Sequence, residues 1–539
     1  MHTTVASGSG LQAGRREWIG LAVLALPTLL LSVDIGVLYL ALPHLSVDLG
    51  ADNSQQLWIL DIYSFMLAGF LVTMGTLGDR IGRRKLLLIG GAAFGVASVI
   101  AAYSTSAEML IAARALLGVA GATLMPSTMA LIRNMFHDPR QMGMAIGVWF
   151  SCFVGGLTLG PLVGGVLLEH FWWGSAFLLG VPIMVLLLVT GPVLLPEYRD
   201  TNAGRLDLTS VALSLAAILP VIYGLKELAR NGGQPLPLAS VVVGLVVGVV
   251  FVRRQRTLTS PLLDLRLFAS RTFSSALGVM LLGGVVMAGI SLLSTMYLQM
   301  VHGFSPLNAG LWLVPQNVAM IAGFMLAPAF ARRVRPAHVS AAGLAIAGLG
   351  LLLHTQVDSV GGLGLLVTGL VLASFGISLP MALTMGLMLA AAPPEKAGSV
   401  ASISETGGEF GIALGIATLG SLGTIIYRNQ LVDTVPAGVP AEAVAAAREG
   451  ITAAGAAAQQ LPDPLSAELL DAAAAAFTTG LNAVGGIGSA IFVGMAILAA
   501  AALRHVRPSG EAVQADESAV GTNTAPAGVE ESLVGGVDA

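Results

Sequence analysis

Four carboxylic acids and one guanidinium sit where charge is expensive: Asp34, Asp61, Glu405, Glu409 and Arg114 each interrupt a run of apolar residues. At the centre of a membrane-spanning helix a charged side chain costs about 2.5–3.5 kcal/mol on insertion scales, so several together oppose insertion by on the order of 10 kcal/mol. Groups kept at that cost have chemistry to do, and three kinds suit them. An acid can be neutralised by a base, Asp34 by Arg114 for example, and so tie helices together. A carboxyl group withdrawn from water titrates nearer neutrality and can load and release a proton. An ionised carboxylate beside aromatic faces can hold a lipophilic cation by charge and cation–π attraction. Glu405 and Glu409 are four residues apart and share one helix face. Trp58, Tyr63 and Trp312 are the available aromatics, each suited better to packing or to a membrane interface than to ligand contact.

The elements that must position these groups follow from composition. The chain of 539 residues is 55% hydrophobic and 10% charged, with a mean hydropathy of +0.84, against roughly 25% charged residues in a soluble protein. Apolar runs of about 18 or more residues mark membrane helices, and fourteen are expected, from a first at about 18–43 to a last at about 480–503. The expected fold is all-α and integral to the membrane: two pseudo-symmetric six-helix bundles with two extra helices between them. The boundaries read as a cytoplasmic N-terminus at about 1–17, a bundle at 18–200, linker helices 7 and 8 within 201–260, a second bundle at 261–505 and a disordered acidic tail at 506–539. Within the second bundle an Ala-rich outer hairpin is expected at about 428–479, as two helices broken at Pro462-Asp463-Pro464. It is either a surface feature or a lid.

Lys and Arg near span ends stay in the cytoplasm. Nearly all the basic residues, including Arg15, Arg83, Arg133, Arg253, Arg332 and Arg504, fall on the side of the N-terminus. Only Lys226, Arg230, Arg428 and Arg448 fall opposite, so both termini are expected in the cytoplasm. The linker spans have almost no internal charge and suit a lipid-facing spacer. Lone Cys152 implies no disulfide framework. No lysine sits in a Gly-Lys-Ser/Thr phosphate loop and no His/Cys/Asp cluster has metal-ligand spacing, so an enzyme, an ATP-driven pump and a metal site are not expected.

Three motifs go further. The loop GTLGDRIGRRKLLLIG places Gly75, Gly78 and Gly82 for close packing and a turn, Asp79 to pair with Arg83 or with a helix N-terminus, and Arg80 and Arg84 beside them. A basic loop alone would explain the arginines but not the glycines or the acid. Here the chain resembles the major facilitator superfamily, and APAFARRVRPAHV at 327–339 stands where a second half would carry the relic of the same loop. Arg114, in LIAARALLGVAGATLMP, occupies a place where the superfamily has an arginine implicated in proton coupling. GGLTLGPLVGGVL carries Gly156, Gly160, Pro161, Gly164 and Gly165, and is similar to the antiporter motif of drug-exporting members. With QQLWILDIYSFMLAGF, HFWWGSAFLLGVP, PLLDLRLFASRTFS, the two extra spans and the long last loop, the chain resembles the fourteen-helix drug:proton antiporters, in the branch that exports quaternary ammonium compounds.

That resemblance implies alternating access by a monomer in a bacterial cytoplasmic membrane, driven by the proton gradient without a cofactor. Its partners would be protons, membrane lipid and small lipophilic cations, and not nucleic acid. Asp34, Asp61, Glu405 and Glu409 would carry coupling or drug binding, because one carboxylate can hold a proton or a cation but not both. Gln316, Asn317 and Met320 in VPQNVAMIAGF line up with the region where some dication exporters have an extra acid. Met320 stands at that position, so monovalent cations are the expected cargo. A symporter, or an exporter of a lipid or secreted metabolite, shares the same fold and remains the alternative.

Overall fold

The computed structural model describes residues 12–51, 53–199, 207–231, 235–258, 261–393, 396–435 and 438–504. The expected tail at 506–539 and the first eleven residues lie outside them. Fourteen helices are long and apolar enough to cross a membrane. Only a helix or a closed barrel satisfies its own backbone in lipid, and the described residues contain no strand.

The first six are α1 (Arg15–Leu49), α2 (Asn53–Ile81), α3 (Arg83–Ala102), α4 (Ala107–Met135), α5 (Pro139–His170) and α6 (Ser175–Leu194). The linker pair is α7 (Leu208–Asn231) and α8 (Pro235–Thr257). The last six are α9 (Arg271–Val301), α10 (Pro306–Arg333), α11 (Pro336–His354), α12 (Leu363–Ala390), α13 (Ala397–Thr434) and α14 (Asp463–Ala502). Their starts are encoded locally. Ser106 accepts from Met109 N, Asp138 from Arg140 N and Ser305 from Asn308 N, which satisfies first-turn donors. Pro139 and Pro306 take first-turn positions where no donor is lost.

The halves repeat one another in their packing. In the first, α1 packs on α5, α2 on α4, and α3 on both α4 and α6; in the second, α9 packs on α13, α10 on α12, and α11 on both α12 and α14. The halves meet in two seams, α2 and α4 against α13, and α5 against α10 and α12.

Two expectations about the extra segments change. Helix α7 is more than a lipid-facing spacer: it packs against both α2 and α13, across one seam. Phe65, Ala68 and Ile222 form the buried contact there, with Phe410 against it. A polar clasp ties α7 to α8, because Asp207 accepts from Arg254 Nε at 2.8 Å and from Ser210 Oγ at 2.7 Å, while Gln255 Nε2 donates to Ser210 Oγ. These hydrogen bonds hold the Asp207 carboxyl well below the usual carboxylate range.

The hairpin also differs. α13 continues to Thr434 through a π-helical turn at Ile416–Gly420. The second hairpin helix is not separate but forms the first turns of the 40-residue α14. The first breaks into Ala441–Ala447 and Ile451–Ala458. Tyr427 Oη donates to Ala447 O at 2.7 Å, and Ile451, Ala454 and Ala458 join the core of the second half. The break after Pro462 falls where expected, but the helix beyond it is the stem of a transmembrane span.

Candidate functional site

Between the halves lies a cavity of about 220 Å³, walled by α1, α2, α4, α5, α9, α10, α12 and α13. Its walls are mostly apolar and aromatic, with Trp149, Phe150, Phe153 and Phe324 prominent, and its acids are Glu405 and Glu409. Their four-residue spacing on α13 turns both towards the same space. No hydrogen bond or ion pair engages either carboxylate among the described residues.

The other two acids stand beside this cavity rather than in its wall, and each is paired. Arg114 Nη1 donates to Asp34 Oδ2 at 2.6 Å, and Arg114 Nε donates to Ile59 O at 3.3 Å. The Arg114 guanidinium also lies 4.6 Å from the centre of the Tyr63 ring. Lys226 Nζ reaches from α7 to Asp61 Oδ1 at 3.1 Å and lies 4.9 Å from the centre of the Phe65 ring. The groups are linked electrostatically: Tyr63 interacts with Asp34, Arg114 and Glu409, and Glu409 interacts with Lys226. Tyr63 Oη is buried without a hydrogen-bond partner where it meets the cavity.

Of the remaining expected cavity residues, Tyr63, Asn317 and Met320 line it, and Asn317 Nδ2 donates to Thr158 Oγ1 at 2.8 Å. Three do not. Trp58 stacks on Tyr223 of α7 at 6.5 Å, Trp312 stacks on Phe304 at 6.3 Å, and Gln316 lies off the wall. Both tryptophans are exposed, as packing or interface residues can be. The aromatic wall comes instead from α5 and α10. A Trp149-Phe150 pair two turns before Gly156 was the available signal. Lys226, which pairs with Asp61, does not stand out in the sequence, because its position near a span end reads as a loop charge.

The glycine motifs position this site. Added Cβ atoms on Gly156, Gly160 and Gly164 would meet Leu29 O and Ser32, Gly36 Cα, and Val37 Cα of α1, so α1 and α5 touch backbone to backbone. Gly165 faces open space and is not part of that face. At the N-terminal end, Gly82 turns from α2 to α3 with φ 114°, a value that favours glycine. Glu197 accepts from Arg84 N and Lys85 N at 3.1 Å, and Arg84 Nη1 donates to Leu195 O at 3.0 Å. Asp79 pairs with Arg83 and also accepts from Ser399 N at 3.2 Å and Ser399 Oγ at 2.7 Å. It therefore caps the first turn of α13 and spans the seam; Gly75 lies against Ser402, and Gly78 against Arg83. Arg80 occupies the last turn of α2. Arg133 donates to Leu389 O and Ala392 O at the end of α12, and Phe150 stacks on Phe324 at 4.8 Å. These contacts close the seams on that side.

The profile of the Major Facilitator Superfamily matches residues 24–416. The chain belongs to this superfamily. It is 43% identical over 489 residues to the multidrug efflux pump LfrA of Mycolicibacterium smegmatis, covering 90% of this chain and 95% of that one. The methyl viologen resistance protein SmvA of Salmonella typhimurium is 36% identical over 496 residues, 89% and 98% of the two chains. In structure it resembles the human organic anion transporter MFSD10, with a TM-score of 0.54 at 18% identity over 89% of this chain and 100% of that one; this likeness bears on the fold alone. The protein is thus a multi-pass membrane transporter of a superfamily whose members similar to it include drug efflux pumps, and not an enzyme.

Proposed function

We propose that this transporter exports lipophilic, mainly monovalent cations in exchange for protons. One observation carries the reading: Glu405 and Glu409 face a mostly apolar and aromatic cavity with no ion pair to either among the described residues. Such a site binds a cation by charge and aromatic contact, and each carboxylate that binds a cation must first give up a proton. Exchange then follows from competition. The efflux pumps among the relatives support export as the direction. The mostly basic N-terminal side is read as cytoplasmic, which makes the seams closed at that end those of an outward-facing transporter. The membrane is then a bacterial cytoplasmic membrane with both termini inside, and the halves rock about the cavity. Asp34 and Asp61, with Arg114 and Lys226, set the field around it.

A second reading keeps the cavity but doubles the charge of the cargo. It is favoured by the two acids on one face, and by a relative named for resistance to methyl viologen, a dication. Met320 on the wall supplies no third acid, which favours the first reading. The test is uptake of ethidium and of methyl viologen into inverted vesicles, with and without a proton gradient, for the parent and for Glu405→Gln/Glu409→Gln. Gradient-dependent ethidium transport, lost in the double variant, is expected. Transport indifferent to the gradient, or surviving in the double variant, overturns the proposal.

A further inference from the structure

Lys226 belongs to a helix outside the two six-helix halves, yet its ammonium pairs with Asp61, one of the acids beside the cavity. It is paired with Asp61 at 3.1 Å and set over the Phe65 ring at 4.9 Å, and Phe410, the residue after Glu409, packs against the same Phe65 cluster. A carboxylate, an aromatic face and a second acid are the features that recognise an organic cation. We infer that Lys226 is a tethered cation that occupies part of the cation field of the site, competes with the cargo, and so sets the charge of the cargo that the protein accepts. The inference rests on the reading of the chain as a cation exporter.

The geometry gives the competition a direction. With all groups ionised, Asp34, Asp61, Glu405 and Glu409 supply four negative charges, and Arg114 and Lys226 supply two positive ones. Arg114 is fixed: it is buried, bonded to Asp34 and also bonded to a backbone carbonyl of α2. Lys226 is held less tightly. Its side chain keeps 24% of its exposure, its partner Asp61 keeps 14%, and it sits near the outer end of α7 on a flexible four-carbon stem. A cargo approaching Glu409 therefore meets one positive charge that can withdraw and one that cannot.

Electrostatic energy is proportional to the charge of the cargo. Removing the ammonium then helps a monocation once and a dication twice, so the ratio of affinities must move towards the dication. If a monocation gains about fivefold, a dication gains up to about 25-fold, and the ratio shifts by up to about fivefold. A residue that only packed α7 against α2 would change both affinities together.

The test is equilibrium dialysis of radiolabelled tetraphenylphosphonium and methyl viologen against the purified full chain, for the parent, Lys226→Met, Lys226→Gln and Lys226→Arg. Gln retains a hydrogen bond to Asp61 without the charge, and is read in the same way if Met prevents folding as judged by gel filtration. The expected result is a shift of the affinity ratio towards methyl viologen, of up to about fivefold, for Met or Gln, and none for Arg. An unchanged ratio, with both cations still bound, overturns the role of Lys226 alone. A parent that binds neither cation overturns the cation-export reading, and this inference with it.

Discussion

Arg114 and Asp34 form a buried ion pair, with Nη1 to Oδ2 at 2.6 Å and side-chain exposures of 1% and 11%. Breaking a buried pair by removing one partner costs about 3–5 kcal/mol, because the surviving charge is left uncompensated. Asp34→Asn is therefore expected to lower the thermal unfolding temperature in detergent together with transport. Asp34→Asn/Arg114→Gln, which removes both charges, should recover most of the stability and none of the transport. A single variant as stable as the parent would show that the pair does not hold α1 to α4.

Asp79 joins the two halves through Ser399. Hydrogen bonds to a charged group contribute about 1.5–3 kcal/mol each, enough to move a two-state equilibrium tenfold or more. Asp79→Asn should therefore loosen the closed N-terminal side. Ser402, fully buried against Gly75 in this seam, provides the reporter. A cysteine substituted for Ser402, in a Cys152→Ala background, should react faster with an impermeant maleimide when Asp79→Asn is added. Equal labelling rates would mean that the latch does not control this seam.

Much of this arrangement is legible in the sequence, and the limits have physical causes. The fourteen spans follow from hydropathy, since lipid leaves the backbone no alternative to a helix. Asp79, four residues before Arg83 and framed by glycines, reads as a latch because only an acid explains the pattern. Lys226 does not read as a site residue: near a span end it has the signature of a loop charge, and only the packing of α7 on α2 brings it to Asp61. Trp58 and Trp312 do not declare their place for a related reason. An aromatic in a span suits a cavity, a helix contact or the membrane interface equally, and facing is decided by tertiary packing. The start of α14 is hidden because its Ala-rich first turns lack the hydropathy of a span.

The contact between α1 and α5 makes a paired prediction. Gly156→Ala places a methyl group against Leu29 O and Ser32, and Gly165→Ala places one in open space. Overpacking of a close contact costs typically about 1–3 kcal/mol. The first variant should melt at lower temperature and protect growing cells poorly, while the second should match the parent in both assays. If the two variants behave alike, the close approach of α1 is not what the motif provides.

Asp207 gives a pH dependence whose sign is set by Arg254. The carboxyl is held below its unfolded value, so its contribution to stability is fully present above the ordinary carboxylate range. It is lost as pH falls through the lower folded value. Asp207→Asn should therefore melt below the parent at neutral pH, and the difference should close in strong acid. A difference that persists unchanged to the lowest pH at which the parent stays folded would assign the loss to packing.

Glu405 and Glu409 contrast with Asp34 in one respect that separates coupling from stability. Neither is in an ion pair, so Glu405→Gln leaves no buried base unpaired. Within reach of Glu405 the charged neighbour is Glu409, another acid, whereas Glu409 also interacts with Lys226. Glu405→Gln should consequently melt as the parent does. It should still bind tetraphenylphosphonium through Glu409 and the aromatic wall. What it should lose is exchange: protons released on addition of the cation, read with a pH indicator in weak buffer, should fall by about half if each acid gives up one proton. Glu409→Gln should weaken binding more, because it removes the acid that Lys226 and the cargo share. Equal proton release from the parent and from Glu405→Gln would remove Glu405 from the coupling step and leave Glu409 to carry it alone.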